Sequence, residues 1–172
     1  MTFNKKSVSL LISIIIFILV IYILNRTPHV VNKTGSVAPN FSLQDIDGHT
    51  ITLSSVKGRV IVLEFFATWC PPCRDSIPHL NNLKAKYKEK GLMVYGVNLD
   101  ANIDAKTLKE FASDNQVQYD LLLSDENTGK LYNINSIPVT YVIDKNLIIK
   151  DVYVGFSEGL EGIIDKEVGA ML

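Results

Sequence analysis

The chain has 172 residues, 47% of them hydrophobic and 20% charged, enough for one ordinary domain and too few for two. Four of its seventeen Lys and Arg lie in residues 1–34 with no acid among them, which leaves thirteen against eighteen acids and a net charge of −5 over residues 35–172. That balance speaks against nucleic-acid binding, which rests on neutralised phosphates. Two cysteines separated by two residues likewise exclude a framework of structural disulfides.

A short tail, residues 1–7, precedes residues 8–24, a run without charge broken only by Ser9, Ser13 and Tyr22. At about 1.5 Å per residue such a helix nearly crosses a ~30 Å hydrocarbon core. The run exceeds the usual apolar region of a cleaved signal peptide, and no Ala-x-Ala-like site follows it. It is therefore expected to be an uncleaved, single-pass anchor, with a cleaved signal as the alternative. Lys5 and Lys6 before it are nearly balanced by Arg26 and Lys33 after it, so charge sets orientation weakly. The short leading segment favours an extracytoplasmic domain. Residues 25–36, with Pro28 and Gly35, read as a linker, and residues 37–172 as the domain.

Within that domain, Phe41, Leu43 and Ile46, then Asp47-Gly48, then residues 50–53 predict two short strands around a turn. Residues 60–66 (VIVLEFF) form a near-continuous apolar run, the pattern of a strand buried on both faces. Pro71-Pro72 opens a helix to about Lys90, with Leu80, Leu83 and Tyr87 on one face and solvated lysines elsewhere. A strand is expected over 92–99, then a helix capped by Asp104 with Leu108, Phe111 and Ala112 inward, a strand at 119–123 and a short helix at 126–132. Residues 138–143 and 147–154 flank Asp144-Lys145-Asn146 as a hairpin, and Ser157 is the expected cap of a last helix carrying Leu160, Ile163, Ile164 and Val168. Strands alternating with helices and a closing hairpin predict an α/β fold with a mixed sheet.

The chemistry lies in Trp69-Cys70-Pro71-Pro72-Cys73. A cysteine pair at the junction of a buried strand and a helix places its first sulfur where unpaired N–H groups and the helix dipole favour a thiolate. A free thiol near pKa 8.5 falls to about 7 in such motifs, a change worth roughly 2 kcal/mol. Cys70 is the expected nucleophile toward a partner disulfide, and Cys73, one turn in and less exposed, the resolving thiol. Pro71 lacks an N–H, which removes one donor from the thiolate and points to a reducing protein. A closed zinc site needs four Cys or His ligands. Only His29, His49 and His79 could join, and none has ligand spacing. Neither metal nor cofactor is expected. Glu64 interrupts the buried run; a carboxyl there is costly to keep charged, so its pKa should rise toward the range of a general base.

The segment from Phe65 to Arg74, with Pro78 after it, resembles the thioredoxin active site. Ile137-Pro138 is similar to the proline that thioredoxins hold in cis beside the dithiol, and Gly155 also fits. Residues 37–43, with Asp47-Gly48 and Leu53, look like the extra hairpin of the membrane-tethered, cytochrome-maturation-type ResA/TlpA-like group. This resemblance implies a thioredoxin-like fold, a mixed sheet flanked by helices, with an N-terminal β-hairpin extension behind a transmembrane helix. It implies that Cys70, Cys73 and Glu64 are catalytic, Glu64 exchanging protons with Cys73. Trp69, Pro71, Pro72, Ile137 and Pro138 would meet the substrate. It implies disulfide-containing protein substrates, apocytochrome c among the candidates, and a membrane thiol donor. Two departures stand out: Gly96 replaces a lysine common in thioredoxins, and Ser76 replaces an acid carried by some cytochrome-maturation relatives.

Three rivals are weighed. A peroxiredoxin-like peroxidase shares the Ala38-Pro39-Asn40-Phe41 opening, but Leu63 and Ala67 stand where its P-x-x-x-T-x-x-C motif needs Pro and Thr. A metal-delivery protein would want wider cysteine spacing and a late histidine, and none follows His79. A non-catalytic tethered binding module leaves the cysteine pair and Glu64 unexplained.

Overall fold

A computed structural model describes residues 14–17 and 34–172 of the protein. Residues 14–17 are helical and exposed. The rest of the expected anchor at 8–24, the tail at 1–7 and most of the linker, His29 included, lie outside the described residues. Among the described residues no helix is long and apolar enough to cross a membrane.

Strands β1 (Ser42–Asp45) and β2 (Thr50–Thr52) pair antiparallel, with Leu43 opposite Ile51. Gly48 turns the chain at φ +87°, a region open to glycine. The Asp45 carboxylate accepts from the N–H groups of Asp47 and His49 inside the same turn. β3 (Ile61–Phe66) is buried at every position. It lies between β4 (Met93–Asn98), parallel to it, and β6 (Val139–Ile143), antiparallel to it. β5 (Asp120–Leu123) pairs parallel with β4 and antiparallel with β1. β7 (Ile149–Val154) closes the far edge against β6. The described strands form one mixed sheet in the order β2-β1-β5-β4-β3-β6-β7, so the N-terminal hairpin extends one edge.

Side chains alternate across a strand, so β3 sends Val62, Glu64 and Phe66 to one face and Ile61, Leu63 and Phe65 to the other. The first face packs under α1 (Pro71–Tyr87) and α4 (Leu160–Met171), through Ile77, Leu80, Leu83, Ile164 and Val168. The same cluster takes Leu108 of α2 (Ala105–Asp114), whose cap is Asp104 accepting from Thr107 N–H. The second face gathers Val97, Tyr132, Tyr141 and Ile149 around Phe65. Burying one such side chain contributes about 1.5–3 kcal/mol; a carboxyl in the middle of the same strand runs against that trend.

Three local expectations are corrected. Ser157 does not cap the last helix: Gly159 holds the N-cap position without a side-chain bond, and Ser157 contributes its carbonyl, which accepts from Leu160 N–H in the turn before it. Ile163 is exposed, because the buried stripe runs through Ile164 and Val168 at i, i+4 spacing. The short helix α3 spans only Thr128–Leu131, since Asp125 gathers the N–H groups of Asn127 and Thr128 and the Thr128 hydroxyl just before it. Gly35 and Ser36, assigned to the linker, hydrogen bond with Ile149 at the sheet edge.

Candidate active site

β3 ends at Phe66, and Ala67-Thr68-Trp69 turns the chain into α1. Cys70 sits at the N-cap of that helix and is joined to Cys73 by a disulfide, with 5.3 Å between their Cα atoms. In this oxidised form both cysteines are buried, at 3% and 2% exposure. Their positions at the helix start, more than their exposure, set the two apart. An N-cap side chain ordinarily accepts from the N–H of the second or third helical residue. Here the second is Pro72, which has none, and the third is Cys73. The proline that withholds a capping donor is therefore Pro72, at the second position, rather than Pro71, at the first. Arg74 N–H donates to the Cys70 carbonyl at 3.2 Å, and its guanidinium reaches the Thr68 carbonyl. Pro78 lies inside α1, so the Arg74 carbonyl loses its usual donor.

Glu64 is 2% exposed on the α1 face of β3. Ser76, one turn after Cys73, brings its Oγ to 2.7 and 3.0 Å from the two carboxyl oxygens of Glu64 and to 2.8 Å from the Cys73 carbonyl. Burial pushes the Glu64 carboxyl up to about 8, with the Ser76 hydroxyl pulling the other way. In register, Glu64 faces Gly96 on β4 and Thr140 on β6, neither of which offers a charge. A side chain at Gly96 would collide with the space filled by Leu121 and Tyr119, 2.7 and 3.0 Å from its Cβ position. The missing lysine is thus a matter of packing as well as of charge. Glu64 in turn raises the buried Tyr119 phenol, whose burial already does so.

The register of β3 with β6 places Pro138 beside Phe66, at the strand end that leads to the cysteines. The Ile137–Pro138 peptide is cis. Gly155 N–H donates to the Pro138 carbonyl. Among the described residues the Ile137 backbone makes no hydrogen bond, which leaves it available to an extended chain. Trp69 is 69% exposed, so it has no core role. It walls an open groove of about 440 Å³ with Thr68, Asn102, Ile103 and Asp104.

Sequence reading overlooked what holds the turn. Asp100 accepts from the N–H and hydroxyl of Thr68 at 2.8 and 2.7 Å and from the Asn98 amide at 3.0 Å. Burial alone would raise this carboxyl, but the hydrogen bonds from Asn98, Thr68 and Trp69 hold it below the usual range. The signal was Asn98-x-Asp100 at the end of the strand beside β3, where Asn98 pairs with Phe66. His49 pairs with Asp45 in the hairpin, and His79 with Glu161. No group of three or more His, Cys, Asp or Glu among the described residues could hold a metal ion.

Comparison with known proteins agrees with this geometry. The AhpC/TSA family profile matches residues 34–152. The thioredoxin-like protein YneN of Bacillus subtilis is 35% identical over 124 residues, 72% of each chain. The thiol-disulfide oxidoreductase ResA of Bacillus cereus is 35% identical over 141 residues, 78% of each. Among solved structures, a proposed thiol:disulfide interchange protein DsbE from Chlorobium tepidum superposes with a TM-score of 0.75 at 32% identity, covering 81% of this chain and 97% of its own.

Proposed function

The chain belongs to the AhpC/TSA family and is a protein thiol–disulfide oxidoreductase; we propose that it reduces disulfides of partner proteins from an extracytoplasmic, membrane-tethered position. The observation that carries this reading is the cysteine pair at the mouth of α1, with a buried carboxyl behind it. In the reduced protein, the Cys70 thiolate attacks one sulfur of a partner disulfide and releases the other as a thiolate. Glu64, as carboxylate, takes the Cys73 proton. The Cys73 thiolate then attacks Cys70 Sγ, the second partner sulfur leaves, and Cys70–Cys73 closes. Two electrons have passed to the partner, and a thiol donor on the membrane returns the protein to its dithiol form. The cysteines themselves carry the electrons, so the cycle calls for no bound metal or cofactor.

Trp69 and its groove, the free Ile137 backbone beside Pro138, and the prolines of the motif supply the surface for an extended substrate segment. The apolar run at 8–24 supports the tether. The resemblance to ResA-type proteins supports apocytochrome c as one candidate substrate. The purified chain should reduce insulin with dithiothreitol, and Cys70→Ser should abolish this. Retained activity in that variant would remove Cys70 as the nucleophile. A peroxidase is the second reading, favoured by the family match alone; turnover of hydrogen peroxide by the purified chain would support it.

A further inference from the structure

Behind Glu64 lies a cavity of about 20 Å³. That is just above the ~10–15 Å³ a single water needs and far below any substrate. Its polar lining is Glu64, Ser76, Thr140, His79 and Glu161, set among aliphatic side chains of α1 and α4. The lining joins the buried Glu64 to a partly exposed pair, His79 and Glu161, whose side chains are 28% and 33% exposed. His79 Nδ1 is hydrogen bonded to Glu161, whose other carboxyl oxygen accepts from Asn82, and the ring packs on Phe156 at 4.9 Å. With Nδ1 donating to a carboxylate, Nε2 is left to accept a proton. The Tyr119 phenol faces Glu64, and on the other side Glu158, Asp165 and the Lys86 ammonium paired with Asp165 share a groove with Glu161.

We propose that His79, steadied by Glu161, is the proton exit of Glu64, reached through one water held in this cavity. The inference rests on the reading of Glu64 as the base for Cys73. Glu64 must lose its own proton before it can act as that base, and after resolution it again carries one, taken from Cys73; both leave by the same route. Glu64 passes a proton to the water, the water passes one to His79 Nε2, and the imidazolium releases a proton to solvent. No electron moves in this branch. His79 is a positioning and relay residue, since it touches neither sulfur nor substrate.

The test mixes the reduced full chain with 5,5′-dithiobis(2-nitrobenzoate). The first nitrothiobenzoate released reports attack by Cys70, and the second reports resolution by Cys73. Glu64 titrates near 8, so at pH 7 most molecules must lose its proton before resolving, whereas at pH 9 most have already lost it. His79→Gly should slow the second phase about tenfold at pH 7, a modest share of what proton transfer contributes, and leave it unchanged at pH 9. Imidazole in the buffer should restore it. His79→Gln, which keeps bulk against Phe156 but relays no proton, should show the same pH 7 defect without rescue, and it stands in if the glycine variant does not fold. Equal slowing at both pH values, or none at pH 7, overturns the relay. If Glu64→Gln changes the second phase while the His79 variants do not, only the relay falls. If Glu64→Gln changes nothing, the base assignment itself fails.

Discussion

Ser76 Oγ lies 2.7 Å from Glu64 Oε1 and 2.8 Å from the backbone carbonyl of Cys73, and it has one hydrogen to share between them. When Glu64 is protonated, its own O–H donates to Ser76, and Ser76 donates to Cys73. When Glu64 is ionised, the serine hydrogen must turn to the carboxylate. The proton state of Glu64 is thereby read out at the backbone of the resolving cysteine, inside a buried site without a charge partner.

Glu64→Gln removes the base but keeps the volume and a partner for Ser76. In the wild type the second nitrothiobenzoate release should accelerate with pH and level off above about 8, where Glu64 is ionised. In the glutamine variant that bend should vanish and the rate near neutrality should fall by about 10²-fold, the lower range for general base catalysis. Stopped-flow absorbance over pH 6–9 checks this.

Ser76→Ala should shift the same bend. The hydroxyl is the donor that favours the carboxylate form. A hydrogen bond to a charged group is worth about 1.5–3 kcal/mol, so its loss should move the midpoint upward by roughly one to two pH units. A midpoint displaced downward would show that the serine acts on the neutral acid instead.

Most of this architecture was legible in the chain before any coordinates. A run such as VIVLEFF can only be satisfied in the middle of a sheet, and a Cys-x-x-Cys followed at once by a helix has few other uses. Hairpin turns were visible because Asp47-Gly48 and Asp144-Lys145-Asn146 are chemically suited to turns. What was not legible depends on registers across the sheet or along a helix. Ser76 read only as a missing acid, because nothing in a twelve-residue separation says that its hydroxyl meets Glu64. Asp100 was overlooked because its partner Thr68 lies 32 residues away and is reached only once β3 and β4 are aligned. Ser157 looked like a cap by type, but capping is decided by local backbone geometry, which starts the helix later.

Glu64 should also leave a mark on stability. Its folded pKa of about 8 exceeds the ~4.3 of an unfolded glutamate. Between those values the folded state binds the extra proton, so stability is greatest below about pH 4.5 as far as this group is concerned and falls as pH rises through 8. At ~1.4 kcal/mol per unit the decline amounts to roughly 5 kcal/mol. Urea melts of the oxidised chain should show this slope between pH 5 and 9, and Glu64→Gln should flatten it. A parallel decline in both proteins would assign the slope to other groups.

Pro72 occupies the second position of α1, where an ordinary residue would offer its N–H to the side chain at the N-cap. Pro72→Ala restores that donor without adding charge or bulk. One charge-assisted hydrogen bond stabilises the Cys70 thiolate by about 1.5 kcal/mol at the lower end, so its pKa should fall by about one unit. The gain is confined to the reduced form, since a disulfide sulfur carries no charge to stabilise. At pH values where Cys70 is ionised the reduction potential should therefore rise by about 30 mV, the shift that corresponds to ~1.4 kcal/mol for two electrons. Any change in chain entropy from losing the proline acts on both redox forms and drops out of the difference. Equilibration against glutathione measures the shift. An unchanged potential would mean that Cys73 N–H already satisfies the thiolate and that the proline pair serves the substrate surface alone.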